Sequence, residues 1–237
     1  MLARMVTLDG LQDRVRDSIT TATAAVERAL GEGLVAVCLI GATNELLIVA
    51  EALPPASLRA LASGLVEPLR AGLQIRMVTH DELRSSVDVH ALEIAQWRAE
   101  HLRLAGRDPF ADLQIKPADL RHEIERALRT LSHRLRNRLL WCLATEQQRL
   151  DVLLRESLDR LTSLARHTLG LLALPCPADD AAALAAFLHW ADADQQPIAA
   201  LRARLLASDR AHDPIAELAA LAAATEAATA KVDSLPV

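Results

Sequence analysis

Arg121, Glu125 and Arg129 recur at intervals of four, the spacing that stacks side chains on one side of an α-helix. Two arginines flanking a glutamate in that geometry can do one of two things. Turned into a cleft, their guanidinium forks grip a phosphate or carboxylate bidentately. Turned along the helix, they form an ion-pair ladder with Glu125, each pair contributing about 0.2–0.5 kcal/mol. Glu93, on an earlier helical stretch, is the natural opposite charge for whichever arginine points inward. Glu93, Arg121, Glu125 and Arg129 therefore read as one network that ties the two halves of the chain together.

Two further positions have types suited to ligand binding. Gly41 separates two apolar runs, where a turn can offer backbone N–H groups to an anion. Arg76 sits in a third apolar run, LQIRMVT, and is the cation of that run. Acids are poorly placed for metal chemistry. Glu45 and Glu51 stand at opposite ends of one extended segment, about 20 Å apart at about 3.3 Å per residue. The eight histidines are scattered, with no HxxxH or HExxH spacing. His122 and His133 lie about 16 Å apart along one helix, too far to share an ion. The three cysteines, Cys38, Cys142 and Cys176, have neither redox-motif nor metal-ligand spacing, and Cys38 inside an apolar run reads as core. No catalytic residue and no metal ligand is nominated.

The elements that must hold these residues follow from composition and period. Hydrophobic residues are 51% of the 237, while aromatics are only 2%, so aliphatic side chains must build the core. Base-stacking nucleic-acid modules need aromatic platforms that this chain lacks. Its net charge of −5 also argues against an anionic partner surface, so neither nucleic acid nor membrane is expected as a partner. The longest unbroken apolar run, Leu34 to Ile40, is far short of a membrane span. The first residues, MLARMVTLDG, hold no signal-peptide core, and a cytoplasmic location is expected.

Alanine and leucine favour helix throughout. Leu11, Val15, Ile19, Ala22, Val26 and Leu30 mark one apolar helix face. Leu34–Ile40 and Glu45–Ala52 are short and partly β-branched and read as buried strands, with Gly41-Ala42-Thr43-Asn44 as a tight connection. A helix over Ala56–Ala71, weakened near Gly64 and Pro68, leads to a third strand at Leu73–Thr79. Beyond His80 the pattern is helical: a short turn of helix, a brief strand at Val87–Val89, a helix over Ala91–Leu104, then a Pro-containing loop. Long helices follow from Ala118, Glu146, Ala178, Pro197 and Pro214. The last of them is so alanine-rich that loose packing is expected. Trp97, Trp141 and Trp190 fall in helices and read as anchors at crossings or at a subunit interface.

The stretch CLIGATNELLIVAEA, with strand, glycine turn and strand, resembles the start of the nucleotidyltransferase fold. This is the polymerase-beta-like superfamily that includes the kanamycin-type nucleotidyltransferases. Glu93, then Leu104, Gly106, Asp108 and Pro109, then Leu120, Arg121, Glu125 and Arg129 are similar to the pattern of a bacterial branch of that superfamily with a degenerate active site. In the superfamily a Gly-Ser turn meets phosphate, and an Asp-x-Asp pair holds two divalent ions for nucleotidyl transfer. Here Ala42 stands at the serine position, the second strand reads Glu45-Leu46-Leu47-Ile48-Val49, and Arg76 stands where a third carboxylate would be useful.

The resemblance implies an α+β fold: a small nucleotidyltransferase-like unit over residues 1–105, followed by an α-helical bundle over 106–237. It implies a non-catalytic protein that binds a partner protein or an anionic ligand. Gly41, Arg76, Arg121 and Arg129 are its candidate ligand-binding residues. The alternative is an active enzyme moving a nucleoside monophosphate to a small acceptor, and only that reading calls for Mg²⁺ and a nucleoside triphosphate as cofactors. Apolar stripes on the C-terminal helices beyond what a bundle must hide point to a homo-oligomer, most simply a dimer.

Overall fold

A computed structural model describes residues 13–41, 44–145, 150–209 and 213–235. The chain is α+β and divides into two compact units, Leu2–Ile115 and Lys116–Val237. Leu11, the Ala42-Thr43 pair of the expected tight turn and Glu146 lie outside the described residues.

In the first unit the order is α1 (Asp13–Leu30), β1 (Leu34–Ile40), β2 (Glu45–Ala50), α2 (Pro55–Arg70), β3 (Gln74–Thr79), α3 (His80–Ser85), α4 (Ala91–Ala99) and β4 (His101–Gly106). The strands form one mixed sheet in the order β3-β2-β1-β4. β1 pairs antiparallel with both β2 and β4, and β2 pairs parallel with β3. The two central strands are continuous apolar runs because both faces of the sheet are covered. On one face Val37, Leu39, Leu46 and Ile48 pack under Ile19, Ala22 and Val26 of α1 and Leu61 and Leu65 of α2. On the other, Cys38, Ile40, Leu47 and Val49 pack under Leu83, Ile94, Trp97, Phe110 and Leu113. The helix α2 runs through both Gly64 and Pro68. Gly64 has a packing role: a Cβ there would stand 2.6 Å from the Cβ of Ala25, so a side chain would force α1 and α2 apart.

Two expectations for this unit are corrected. The helix expected through Leu104 ends at Ala99, and His101–Gly106 is the fourth strand. Over so short a stretch His101-Leu102-Arg103-Leu104 satisfies either period. The open edge of β1, which needs backbone partners, decides for strand. Gly106 closes that edge with φ +75°, and a Cβ on it would fall 2.1 Å from the Val35 carbonyl oxygen. Val87–Val89, expected as a strand, is a turn between α3 and α4. The first unit also extends past the expected division at 105/106, because Phe110 and Leu113 fill its core and the Arg98 guanidinium donates to the Leu113 carbonyl at 3.3 Å.

The second unit is helical: α5 (Pro117–Thr145), α6 (Asp151–Leu171), α7 (Asp180–Trp190), α8 (Gln196–Ala207) and α9 (Pro214–Asp233). The alanine-rich α9 is not the loose terminal helix expected. It packs along α5 and buries Leu218, Leu221, Ala224, Ala228 and Val232. Its small side chains let the neighbouring backbone come close. Thr225 and Thr229 are buried too, their hydroxyls donating to the carbonyls of Leu221 and Thr225 at 2.8 and 2.7 Å, so these polar atoms are buried with their hydrogen bonds made.

Candidate functional site

One group of charged side chains in the first unit lies at the β3 edge. Glu45 opens β2, and in the parallel register Arg76 of β3 stands opposite Leu47, two residues on. Side chains two apart share a face of the sheet, so Glu45 and Arg76 meet diagonally. Helix α4 crosses that face and presents Glu93 and Trp97, four residues apart and hence neighbours on the helix. The Arg76 Nε donates to Glu45 at 3.0 Å, and its Nη1 donates to Glu93 at 2.7 Å. The guanidinium carbon lies 5.2 Å from the centre of the Trp97 ring, which is cation–π range. Trp97 is buried, whereas Glu45, Glu93 and Arg76 side chains are 22%, 36% and 44% exposed. The group is reachable from solvent, but its two acids already share a cation.

Gly41 is buried and has φ +58°. Its N–H donates to the Glu100 carbonyl at 2.6 Å, so this donor serves the β1–β4 side of the sheet and is not turned out to an anion. Glu51 pairs with Arg107 at 3.1 Å, at the far end of β2 from Glu45. Burial, with the Asp108 charge as the second cause, pushes the Cys38 thiol up to about 12. A thiol that stays protonated is no nucleophile.

In the second unit Arg121, Glu125 and Arg129 do share a face of α5. Glu125 lies 3.6 Å from Arg121 and 2.8 Å from Arg129. The network then closes on α9. The Arg121 Nη1 approaches the carbonyls of Val232 and Leu235, both at 3.4 Å, and Arg129 pairs with Asp233 at 3.0 Å. Cations at these positions complement the exposed carbonyls of a helix C-terminus. Glu125 and Asp233 together hold the Arg129 guanidinium above its ordinary value. The expected tie from Glu93 to this ladder is corrected: Glu93 is bonded to Arg76 inside the first unit, and the ladder joins two helices of the second.

A cleft of about 280 Å³ between α5 and α9 is lined by Arg129, His133, Arg136, Glu226 and Asp233. Arg136 binds Glu226 at 2.8 Å, so its two arginines and two acids are matched one to one. Arg204, in α8, is held by Glu217 at 2.6 Å and Asp151 at 2.9 Å. Among the described residues no three His, Cys, Asp or Glu side chains converge on a point a metal ion could occupy, and no helix is long and apolar enough to cross a membrane.

Of the residues nominated together from the sequence, Gly41 and Arg76 belong to the first unit and Arg121 and Arg129 to the second. Among the partners not foreseen are Trp97 and Asp233. Trp97 was legible as the residue four after Glu93. Asp233 had only its place in the last turn of the last helix, which says nothing about what lies beside it. No family model matches the chain, and no curated protein matches it.

Proposed function

We propose that the chain is a cytoplasmic, non-catalytic protein with a nucleotidyltransferase-like first unit, and that it works by binding a protein partner. The observation that carries this reading is the guanidinium of Arg76 between Glu45 and Glu93. Two carboxylates from a strand and a helix converge there, as a two-metal enzyme requires, but their cation is covalently part of the chain. A side-chain guanidinium has no open coordination position and cannot polarise a hydroxyl as Mg²⁺ does. The anion-binding alternative has less support, since Arg76, Arg121, Arg129, Arg136 and Arg204 are each engaged by carboxylates or carbonyls.

The convergence of Glu45 and Glu93 is also the one observation that favours a second reading, an active nucleotidyltransferase in which Arg76 swings aside. Incubation with labelled ATP or GTP, Mg²⁺ or Mn²⁺ and a panel of hydroxyl acceptors separates the two. The expected result is that all label stays on the triphosphate and that triphosphate leaves the unfolding temperature unchanged. Metal-dependent pyrophosphate release that disappears in Glu45→Ala would overturn the binding reading.

A further inference from the structure

Strand β3 is an edge of the sheet, with β2 as its one neighbour among the described residues. The Gln74 N–H donates to the Asn44 carbonyl at 2.7 Å. Backbone groups of successive strand residues point to alternate sides, so Gln74, Arg76 and Val78 bond β2, while Ile75 and Met77 turn their N–H and C=O outward. The chain itself closes both ends of that edge. The Leu73 N–H goes to the Pro68 carbonyl at 3.0 Å, and the Thr79 N–H goes to the Glu82 carboxylate at 2.7 Å. Between them the N–H and C=O groups of Ile75 and Met77 have no partner among the described residues. An open row of this kind is a template for another strand.

Helix α2 carries an apolar stripe beside the same edge. Leu58, Ala62, Val66 and Leu69 recur at helical spacing on one face, and Leu58, Val66 and Leu69 are 43%, 40% and 50% exposed. Gly64, which meets Ala25 of α1, is on the far side of α2, and Leu61 and Leu65 face the sheet. Because α1 lies over β1, the stripe looks out past β3. Ile75 and Met77 send their side chains to this face of the sheet, half-buried against the core beneath α2. Edge and stripe are therefore one surface, and its outer rim is basic. Arg59 and Arg70 stand three turns apart on one side of α2, next to the stripe. Arg59 is exposed and has no ion pair among the described residues, and Arg70 has only Glu67, in a solvent-exposed pair.

We propose that this edge binds a protein partner by strand addition. The occupant is an extended peptide segment, apolar at two alternate positions and acidic at the next position of the same face on either side. The inference rests on the protein-binding reading above and names its surface. The backbone of Ile75 and Met77 fixes the segment in the sheet, and its two apolar side chains enter the space bounded by Leu58, Leu69, Ile75 and Met77. From acid to acid the segment runs about 20 Å. Arg59 and Arg70 stand about 16 Å apart along α2, a difference that long side chains span. Side chains on the segment's other face meet Gln74 and Arg76 and are polar. The charge of the rim selects among occupants. A second copy meeting this edge about a twofold axis would set the arginine rims of two α2 helices along one seam, where like charges oppose it. A segment with acids supplies the counter-charge that Arg59 lacks.

The test selects the segment without naming it in advance. A phage library of random peptides about 12 residues long is panned against the full chain, and enriched peptides are synthesised and titrated by fluorescence anisotropy. They are expected to carry the acid-x-apolar-x-apolar-x-acid pattern and to bind at micromolar concentration. Methylating the backbone nitrogens of one alternate set of peptide residues is expected to abolish binding. Methylating the other set should leave it within about threefold, because only one set faces β3. Arg59→Glu and Leu69→Asp, both at exposed positions, are each expected to weaken binding at least about tenfold with unchanged circular dichroism. Lysine in place of the peptide's acids should restore binding to Arg59→Glu. The Ile75 and Met77 amides should exchange rapidly in the free chain and slowly in the complex. Failure to enrich any sequence overturns the inference, as do enriched peptides indifferent to N-methylation and to both substitutions. So do Ile75 and Met77 amides already protected in the free chain, as an edge covered by this chain or by a second copy requires. These outcomes leave the non-catalytic reading standing, whereas pyrophosphate release would overturn that reading without changing peptide binding at the edge.

Discussion

The Nη1 of Arg76 lies 2.7 Å from Glu93, and its Nε lies 3.0 Å from Glu45. One guanidinium thus joins the first residue of β2 to the first turn of α4, from a position on the edge strand between them. The bond adds a polar tie to a helix whose Ile94 and Trp97 are already buried on this face of the sheet, with Trp97 5.2 Å from the cation. On the proposed binding reading, this cation also stands where a metal ion between the two acids would have to sit.

Removing that cation is expected to expose the difference. In Arg76→Ala the two carboxylates face each other uncompensated, and stability at neutral pH should fall by about 1 kcal/mol, the scale of half-exposed ion pairs. The variant should then gain unfolding temperature with millimolar Mn²⁺ or Ca²⁺, while the wild type does not. Thermal unfolding with and without the ion reads both effects. Equal responses in the two proteins would mean that Glu45 and Glu93 do not converge closely enough to hold an ion.

Glu125 sits between a buried arginine and a half-exposed one, and is itself only 17% exposed. Glu125→Gln is expected to cost about 1–2 kcal/mol, because Arg121 keeps its burial and loses its only nearby charge partner among the described residues. Glu67→Gln breaks a pair with Arg70 whose side chains are 79% and 73% exposed, and should cost less than about 0.5 kcal/mol. Urea unfolding of the two variants side by side checks the contrast. Equal losses would make the α5–α9 ladder ordinary solvated surface.

His167 gives a pH dependence with a definite sign. It is buried in α6, and burial first, then the charges of Arg160 and Arg166, lowers its value from 6.5 to about 4. The unfolded chain therefore binds a proton on this side chain where the folded chain does not. The stability it contributes is complete above about pH 6.5 and is lost as pH falls toward 4, a difference approaching about 3 kcal/mol at about 1.4 kcal/mol per unit. His167→Gln should flatten the fall in stability between pH 6.5 and 4 relative to wild type. Parallel pH profiles for the two proteins would show that the imidazole titrates alike in both states.

Gly106 provides a test of the fourth strand. With φ +75° and the Val35 carbonyl 2.1 Å from any Cβ, Gly106→Ala combines backbone strain with a clash against backbone that cannot swing away. A loss of about 3 kcal/mol or more is expected. Gly31→Ala, at φ +51° with nothing within 4 Å of a Cβ, isolates the conformational cost and should lose about 1 kcal/mol. Similar losses at the two glycines would mean that β4 does not close on β1 as described.

Local pattern alone determined much of this protein. Leu34–Ile40 and the strand after it were legible as buried strands, since an unbroken aliphatic run suits only a sheet covered on both faces. The spacing of Ile19, Ala22 and Val26 marked the inner face of α1, and the interval of four put Arg121, Glu125 and Arg129 together. Each of these rests on interactions within a few residues, which periodicity records. Tertiary structure decided the rest. His101–Gly106 became a strand only because β1, far earlier in the chain, had an unpaired edge. Glu93 chose Arg76 over the long helix because the crossing of α4 over β3 brings them within bonding distance. Arg121 found the Val232 carbonyl, 111 positions away, because α9 returns along α5. Hydrogen bonds and ion pairs act over about 3 Å in space, and no period in the sequence encodes which distant segment folding will bring that near.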